Sequence, residues 1–146
     1  MEILLPAAAI GLTLKSDDMD GLKQLATSGA LAVGATEVLK RSVRSTKPDG
    51  SPNGFPSGHA SIAFVSAAYV QRRYGWEWAA PMYGLAAATA YTRVSSHNHV
   101  AKDVVGGALI GVGSAFLFTH PLGRNTVGML APGEAGGVRV MVASQW

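Results

Sequence analysis

The stretch FPSGHASIAFVSAAYV, residues 55–70, sets a Pro-Ser-Gly-His cluster directly in front of an apolar run. The run reads as a buried helix, and Ser57 stands where its side chain can accept a hydrogen bond from the first free backbone N–H groups. Capping accounts for Ser57 but leaves the imidazole of His59 without a reason.

Working outward, the chain divides into helices separated by polar joints. MEILLPAAAIGLTL reads as a short apolar helix broken by KSDDMDG, and a second helix runs from about Asp20 to Arg44 with a basic end. The stretch STKPDGSPNGFPSG (45–58) carries three prolines and three glycines and must be a loop. Further helices follow at about His59–Arg73, Glu77–Val94 and Val100–Thr119. After HPLGRN the pattern changes: TVGML and GVRVMVASQW alternate and are rich in Val, as in a small hairpin. The expected fold is all-α, a bundle of about five helices over residues 1–120 with a short C-terminal β-hairpin at about 125–146. Residues 1–146 are read as a single domain.

Composition narrows the function. A chain of 146 residues can bury a real core without staples, and without cysteine it has no thiolate chemistry or disulfides. A net charge of +3 falls well short of the basic density of a nucleic-acid binder. Only 14% of residues are charged, which suits closely packed helices in a core or against lipid. Met1-Glu2 offers no basic n-region before ILLPAAAIGLTL, so this stretch is not expected to be a secretory signal. The longest uncharged stretch, Val104–Gly123, has roughly the length of a membrane span but holds five glycines. The other apolar runs are interrupted by charge. A soluble or membrane-associated domain is therefore favoured over an integral one.

Three polar clusters sit at three joints. Lys40, Arg41, Arg44 and Lys47 close the second helix, as basic residues commonly do at a helix C-terminus. Ser57, Gly58 and His59 open the third. TRVSSHNHVAKD carries Arg93, His97, His99 and Asp103 across the last joint. His99 and Asp103 are four apart at a helix start and share a face, so the carboxylate can hold Nδ1–H and leave Nε2 free. Lys40, Lys47 and Arg93 can neutralise a phosphate dianion, and the Ser57 and Gly58 backbone N–H groups offer an anion seat at a helix N-terminus. Two histidines remain for nucleophilic attack and for protonation of the departing oxygen.

These residues resemble a known signature. Lys40, six residues, then Lys47-Pro48; Pro56-Ser57-Gly58-His59; and Arg93, five residues, His99, three residues, Asp103 are similar to the three motifs of the type 2 phosphatidic acid phosphatase superfamily. That group holds lipid phosphate phosphatases, class A acid phosphatases and vanadium haloperoxidases. Two positions depart from its pattern: Lys47 stands where Arg is usual, which gives up the bidentate fork, and Thr92 stands where Ser is usual.

The resemblance implies that His99 is the nucleophile, that Asp103 orients it and that His59 is the general acid. It assigns Lys40, Lys47, Ser57, Gly58 and Arg93 to the phosphoryl oxygens. Fixed cations would do what Mg²⁺ does elsewhere, so no metal and no other cofactor are expected. His59 must be protonated to act, among cations that oppose protonation until the phosphate dianion binds, and a mildly acidic optimum is expected. The implied substrate is a phosphate monoester or diphosphate, of a lipid by family habit, hydrolysed through a phosphohistidine at a periplasmic or outer membrane surface.

Four rivals stand beside this reading. His59, His97, His99 and Asp103 could hold a metal, although the neighbouring cations would repel one. A serine hydrolase lacks its Gly-x-Ser-x-Gly elbow. A haloperoxidase would bind vanadate in the same pocket. A non-enzymatic helical membrane protein would leave the histidines and cations unexplained.

Overall fold

The computed structural model describes residues 3–122 in full and, beyond them, the backbone of two strands, β1 (Val127–Pro132) and β2 (Val138–Ala143), paired antiparallel. The hairpin expected over about 125–146 otherwise lies outside the described residues. Five helices make up the body: α1 (Leu4–Lys15), α2 (Met19–Ser42), α3 (Gly58–Tyr74), α4 (Trp76–Ser95) and α5 (Ala101–Phe118). The all-α bundle is the expected one, and the internal helix ends fall within two residues of the expected ones.

The central element is α3, buried almost all round through Ala60, Ser61, Ala63 and the run Val65–Val70. Its small side chains let neighbours come close. On α5, Gly107 and Gly111 lie on the face turned to α3. A Cβ at Gly107 would strike the Ser57 carbonyl, and one at Gly111 would strike the Ser61 carbonyl and come within 2.7 Å of the Val65 nitrogen. Backbone thus packs on backbone, which only glycine permits at these two places. Helix α2 buries Gly21, Leu25, Ser28, Ala32 and Thr36, a stripe at three- and four-residue spacing that leads directly to Lys40 one turn on. Helix α1 lays Leu5, Ala9 and Thr13 against the same core.

One end of the bundle is locked by an ion-pair node. Arg73, in the last turn of α3, grips Asp18 with two nitrogens at 2.6 Å each. Asp18 also caps α2 by accepting from the Gly21 N–H at 2.8 Å, and it accepts from the Tyr74 hydroxyl at 2.9 Å. The Arg73 fork, first among these partners, holds the carboxyl down to about 2, against the desolvation that would raise it. Arg73 further donates to the His120 carbonyl at 2.9 Å, and Arg72 donates to the Thr119 carbonyl at 3.2 Å. These two arginines therefore tie three segments together. His120 contributes here through its backbone.

Much of the outer surface is apolar. Leu109 and Leu117 on α5 are about 70% exposed, and Trp76, Trp78, Leu85 and Tyr91 on α4 also face outward. Among the described residues one helix, Ala101–Phe118, is long and apolar enough to cross a membrane, with a mean hydropathy of 1.4 and a third of its length buried in the bundle.

Candidate active site

The opposite end of the bundle gathers the three polar joints. The last turns of α2 and the first turn of α3 lie there, linked by the 45–57 loop, and a backbone bond ties the α4–α5 joint to them. Ser57 caps α3, its hydroxyl accepting from the Ala60 N–H at a long 3.5 Å. The Ser57 N–H itself donates to the Asp103 carbonyl at 2.8 Å. That bond corrects one expectation: the Ser57 N–H is spent on the α5 backbone and is not available to an anion. Gly58, at the first helical position, is left as the terminal donor, since such an N–H has no acceptor within its own helix. The same bond fastens the second motif to the third.

A cavity of about 200 Å³ opens beside this helix start, lined by Val33, Thr36, Glu37, Lys40, Gly58, His59, Ser61 and Ile62. Lys40 stands close to Gly58, where a Cβ would lie 3.4 Å from its Nζ. A Cβ at position 58 would meet the ammonium group in ordinary van der Waals contact. Lys40 also lies 3.5 Å from Glu37, a half-exposed pair that contributes little by itself. The first and second motifs therefore meet in one cavity, and two residues join them that sequence reading passed over. Thr36 and Glu37 are placed there by the helical repeat, three and four residues before Lys40. That spacing is the one signal that could have found them.

At the third motif, His99 is 7% exposed and Asp103 is fully buried. Asp103 Oδ2 lies 3.4 Å from His99 Nδ1, at the long edge of hydrogen bonding, and accepts from the Val100 N–H at 3.2 Å. The carboxylate both starts α5 and faces the imidazole. Arg93 holds the joint from the other side, its carbonyl accepting from the N–H groups of both Asn98 and His99, at 3.1 and 3.0 Å. His97 forms the turn between them, exposed and with φ of 54°. It is a loop residue, as its surroundings suggested. Lys47 lies in the 45–57 loop, half-buried, with its backbone bridged to Ser51 and Gly50. It does not line the cavity.

Four buried side-chain atoms among the described residues lack a hydrogen-bond partner: Thr36 Oγ1, Ser45 Oγ, Arg93 Nε and Asp103 Oδ1. All four are at this end. Buried polar atoms are ordinarily paired, because leaving one bare costs on the order of 1–3 kcal/mol. Thr36 lines the cavity with Lys40, whereas Ser45 belongs to the 45–57 loop and Arg93 and Asp103 to the α4–α5 joint, and none of these three lines it. Among the described residues no three His, Asp or Glu side chains gather as metal ligands, so the metal site considered from the sequence is not assembled.

Comparison with known proteins places the chain in a family. A lipid A 4′-phosphatase of Helicobacter pylori is 35% identical over 127 residues, covering 79% of this chain and 64% of its own length. A lipid A 1-phosphatase of Porphyromonas gingivalis is 34% identical over 109 residues, covering 66% of this chain and 24% of its own. The chain thus spans less than two thirds of the length of these curated relatives. The crystal structure of Aquifex aeolicus LpxE shares the fold, with a TM-score of 0.65 over 80% of this chain and 83% of that one, at 20% identity. The model of the PAP2 superfamily matches residues 21–126, a span that takes in all three polar joints, and the chain belongs to that superfamily.

Proposed function

We propose that this protein is a metal-independent phosphatase that hydrolyses a phosphate monoester of a membrane lipid. Phosphorylated lipids of the lipid A type are the first candidates, given the relatives it resembles. The observation that carries the reading is the set of bare polar atoms at this end, Thr36 Oγ1 on the Lys40 cavity and Asp103 Oδ1 on the carboxylate that faces His99.

In this reading the phosphate dianion sits at the α3 N-terminus, where the Gly58 N–H and the helix dipole favour negative charge. Lys40 and Arg93 neutralise it, with Lys47 and the Ser57 hydroxyl beside them. Asp103 keeps the proton on His99 Nδ1 so that Nε2 presents its lone pair to phosphorus. The N–P bond forms as the bond to the lipid oxygen breaks, and His59 gives that oxygen its proton. Water then attacks the phosphohistidine, losing a proton to His59, and phosphate leaves. The long 3.4 Å contact suits a site without its ligand, since catalytic hydrogen bonds often tighten only when substrate binds. The exposed apolar surface around α4 and α5 suits association with the membrane that holds the substrate, at its periplasmic face.

A hydrolysis screen on phosphorylated lipids and soluble phosphomonoesters, with chelator present and beside His99→Ala, tests the proposal. Chelator-resistant turnover is expected in the parent, falling by at least about 10³-fold in the variant, as loss of a nucleophile does elsewhere. Full activity in His99→Ala would remove the nucleophile.

A further inference from the structure

An apolar groove of about 280 Å³ runs along the bundle surface, lined by Pro6, Ile10, Leu25, Ala26, Gly29, Val33, Ile62, Val65 and Ser66, and exposes no polar atom. The Ser66 hydroxyl is turned away to the Ile62 carbonyl at 2.9 Å. Val33 and Ile62 also line the polar cavity at the site. The two hollows therefore adjoin at these two side chains: Lys40, Glu37, Val33 and Gly29 descend one stripe of α2, while Gly58, Ile62 and Ser66 descend a stripe of α3. From Val33 to Leu25 the groove drops roughly 12 Å at the helical rise per residue. That is most of one leaflet of a bilayer whose hydrocarbon core is about 30 Å thick.

We propose that this groove seats one acyl chain of the phosphorylated lipid, with Val33 and Ile62 at the junction between headgroup and chain. The proposal rests on the phosphatase reading above and adds a chain-binding site to it. A pocket that holds Lys40 and the start of α3, beside a groove that exposes no polar atom, matches the two chemistries of a lipid phosphate in the order the molecule presents them. A soluble phosphomonoester would use the upper hollow alone.

Gly29 supplies the test, because a Cβ there meets nothing within 4 Å. Gly29→Leu should fill the groove while leaving α2 intact, and Gly34→Leu, equally open but outside the groove, is the control. Each is assayed on dipalmitoyl phosphatidic acid, dioctanoyl phosphatidic acid and p-nitrophenyl phosphate in detergent micelles. Gly29→Leu is expected to lower kcat/KM for the dipalmitoyl substrate by about tenfold, with smaller losses on the shorter chain and none on the soluble ester. Gly34→Leu should match the parent on all three. Equal losses on all three substrates in Gly29→Leu, or no loss on any, overturns the groove.

A second measurement does not depend on turnover. Phosphatidic acid with a photoreactive diazirine midway along one chain should attach to Ile10, Leu25 or Ile62 in the parent and not in Gly29→Leu. Adducts on the outer face of α5 instead, or groove adducts that vanish as rising protein concentration forms dimers, assign the groove to another occupant. A parent with no activity on any ester but with groove adducts would sink the phosphatase reading and keep the lipid site.

Discussion

At the end of the bundle where α1 turns into α2, Asp18 spends both carboxylate oxygens on Arg73 and shares them with Tyr74 and the Gly21 N–H. At the other end, Asp103 is buried more completely, yet only Oδ2 has partners and Oδ1 has none. Thr13 and Thr36 repeat the contrast. Thr13 donates to the Ala9 carbonyl at 2.7 Å, so Tyr69 donates its own hydroxyl to Thr13 at 2.9 Å. Thr36 is almost as buried and its hydroxyl is bare. The Asp18 end consists of closed polar circuits that stabilise the fold. The other end leaves circuits open, at a cost in stability, for a ligand to close.

The largest structural effect belongs to the seam that joins the two ends. Gly111→Ala forces a Cβ into α3 backbone and should cost about 3 kcal/mol or more, with loss of activity as the Ser57–Asp103 bond is pulled apart. Gly113→Ala, on the same helix with open space, should instead stabilise by a few tenths of a kcal/mol. Equal denaturation midpoints for the two variants would show that α3 and α5 are not in backbone contact.

Next comes the closed end. Asp18 is held down from its ordinary 3.8 to about 2, so its contribution is complete above the unfolded carboxyl range and disappears as pH falls from about 4 toward 2. Asp18→Asn should therefore cost about 2 kcal/mol at pH 7 and flatten the acid limb of the stability profile over that window, while turnover per folded molecule stays near the parent value. An unchanged acid limb would mean that the Arg73 fork does not persist in solution.

The smallest and most discriminating test makes one substitution at both ends. Thr13→Val removes the hydrogen bond between Thr13 and the Tyr69 hydroxyl and should destabilise by about 1 kcal/mol without touching activity. Thr36→Val removes a bare hydroxyl and should be neutral or stabilising by about 1 kcal/mol, while raising KM severalfold. Thermal denaturation and steady-state kinetics on both variants read the two signs. If both destabilise alike and neither alters KM, the open circuit at Thr36 is not part of the site.

Local chemistry made much of this legible in advance. Proline and glycine in the 45–58 loop, the Ser57 cap and the helical spacing of small apolar residues are decided within a few residues of chain, so five helices and their ends could be read directly. The four-residue step from His99 to Asp103 likewise fixes a shared helix face wherever the helix lies. Thr36 escaped notice because a threonine on an apolar stripe looks like core until another helix leaves its hydroxyl unpaired.

The sequence by itself determined the helices, their caps and the side chains that each joint could offer. Only the tertiary structure decided that Lys40 reaches Gly58, that the Ser57 N–H is consumed by Asp103, that Asp18 and Arg73 form a lock, and that a polar cavity and an apolar groove share Val33 and Ile62. The physical reason is one of range. Caps and periodicity depend on neighbours within a helical turn, whereas pairing and emptiness depend on which backbones approach closely, and here glycines on α5 set that approach.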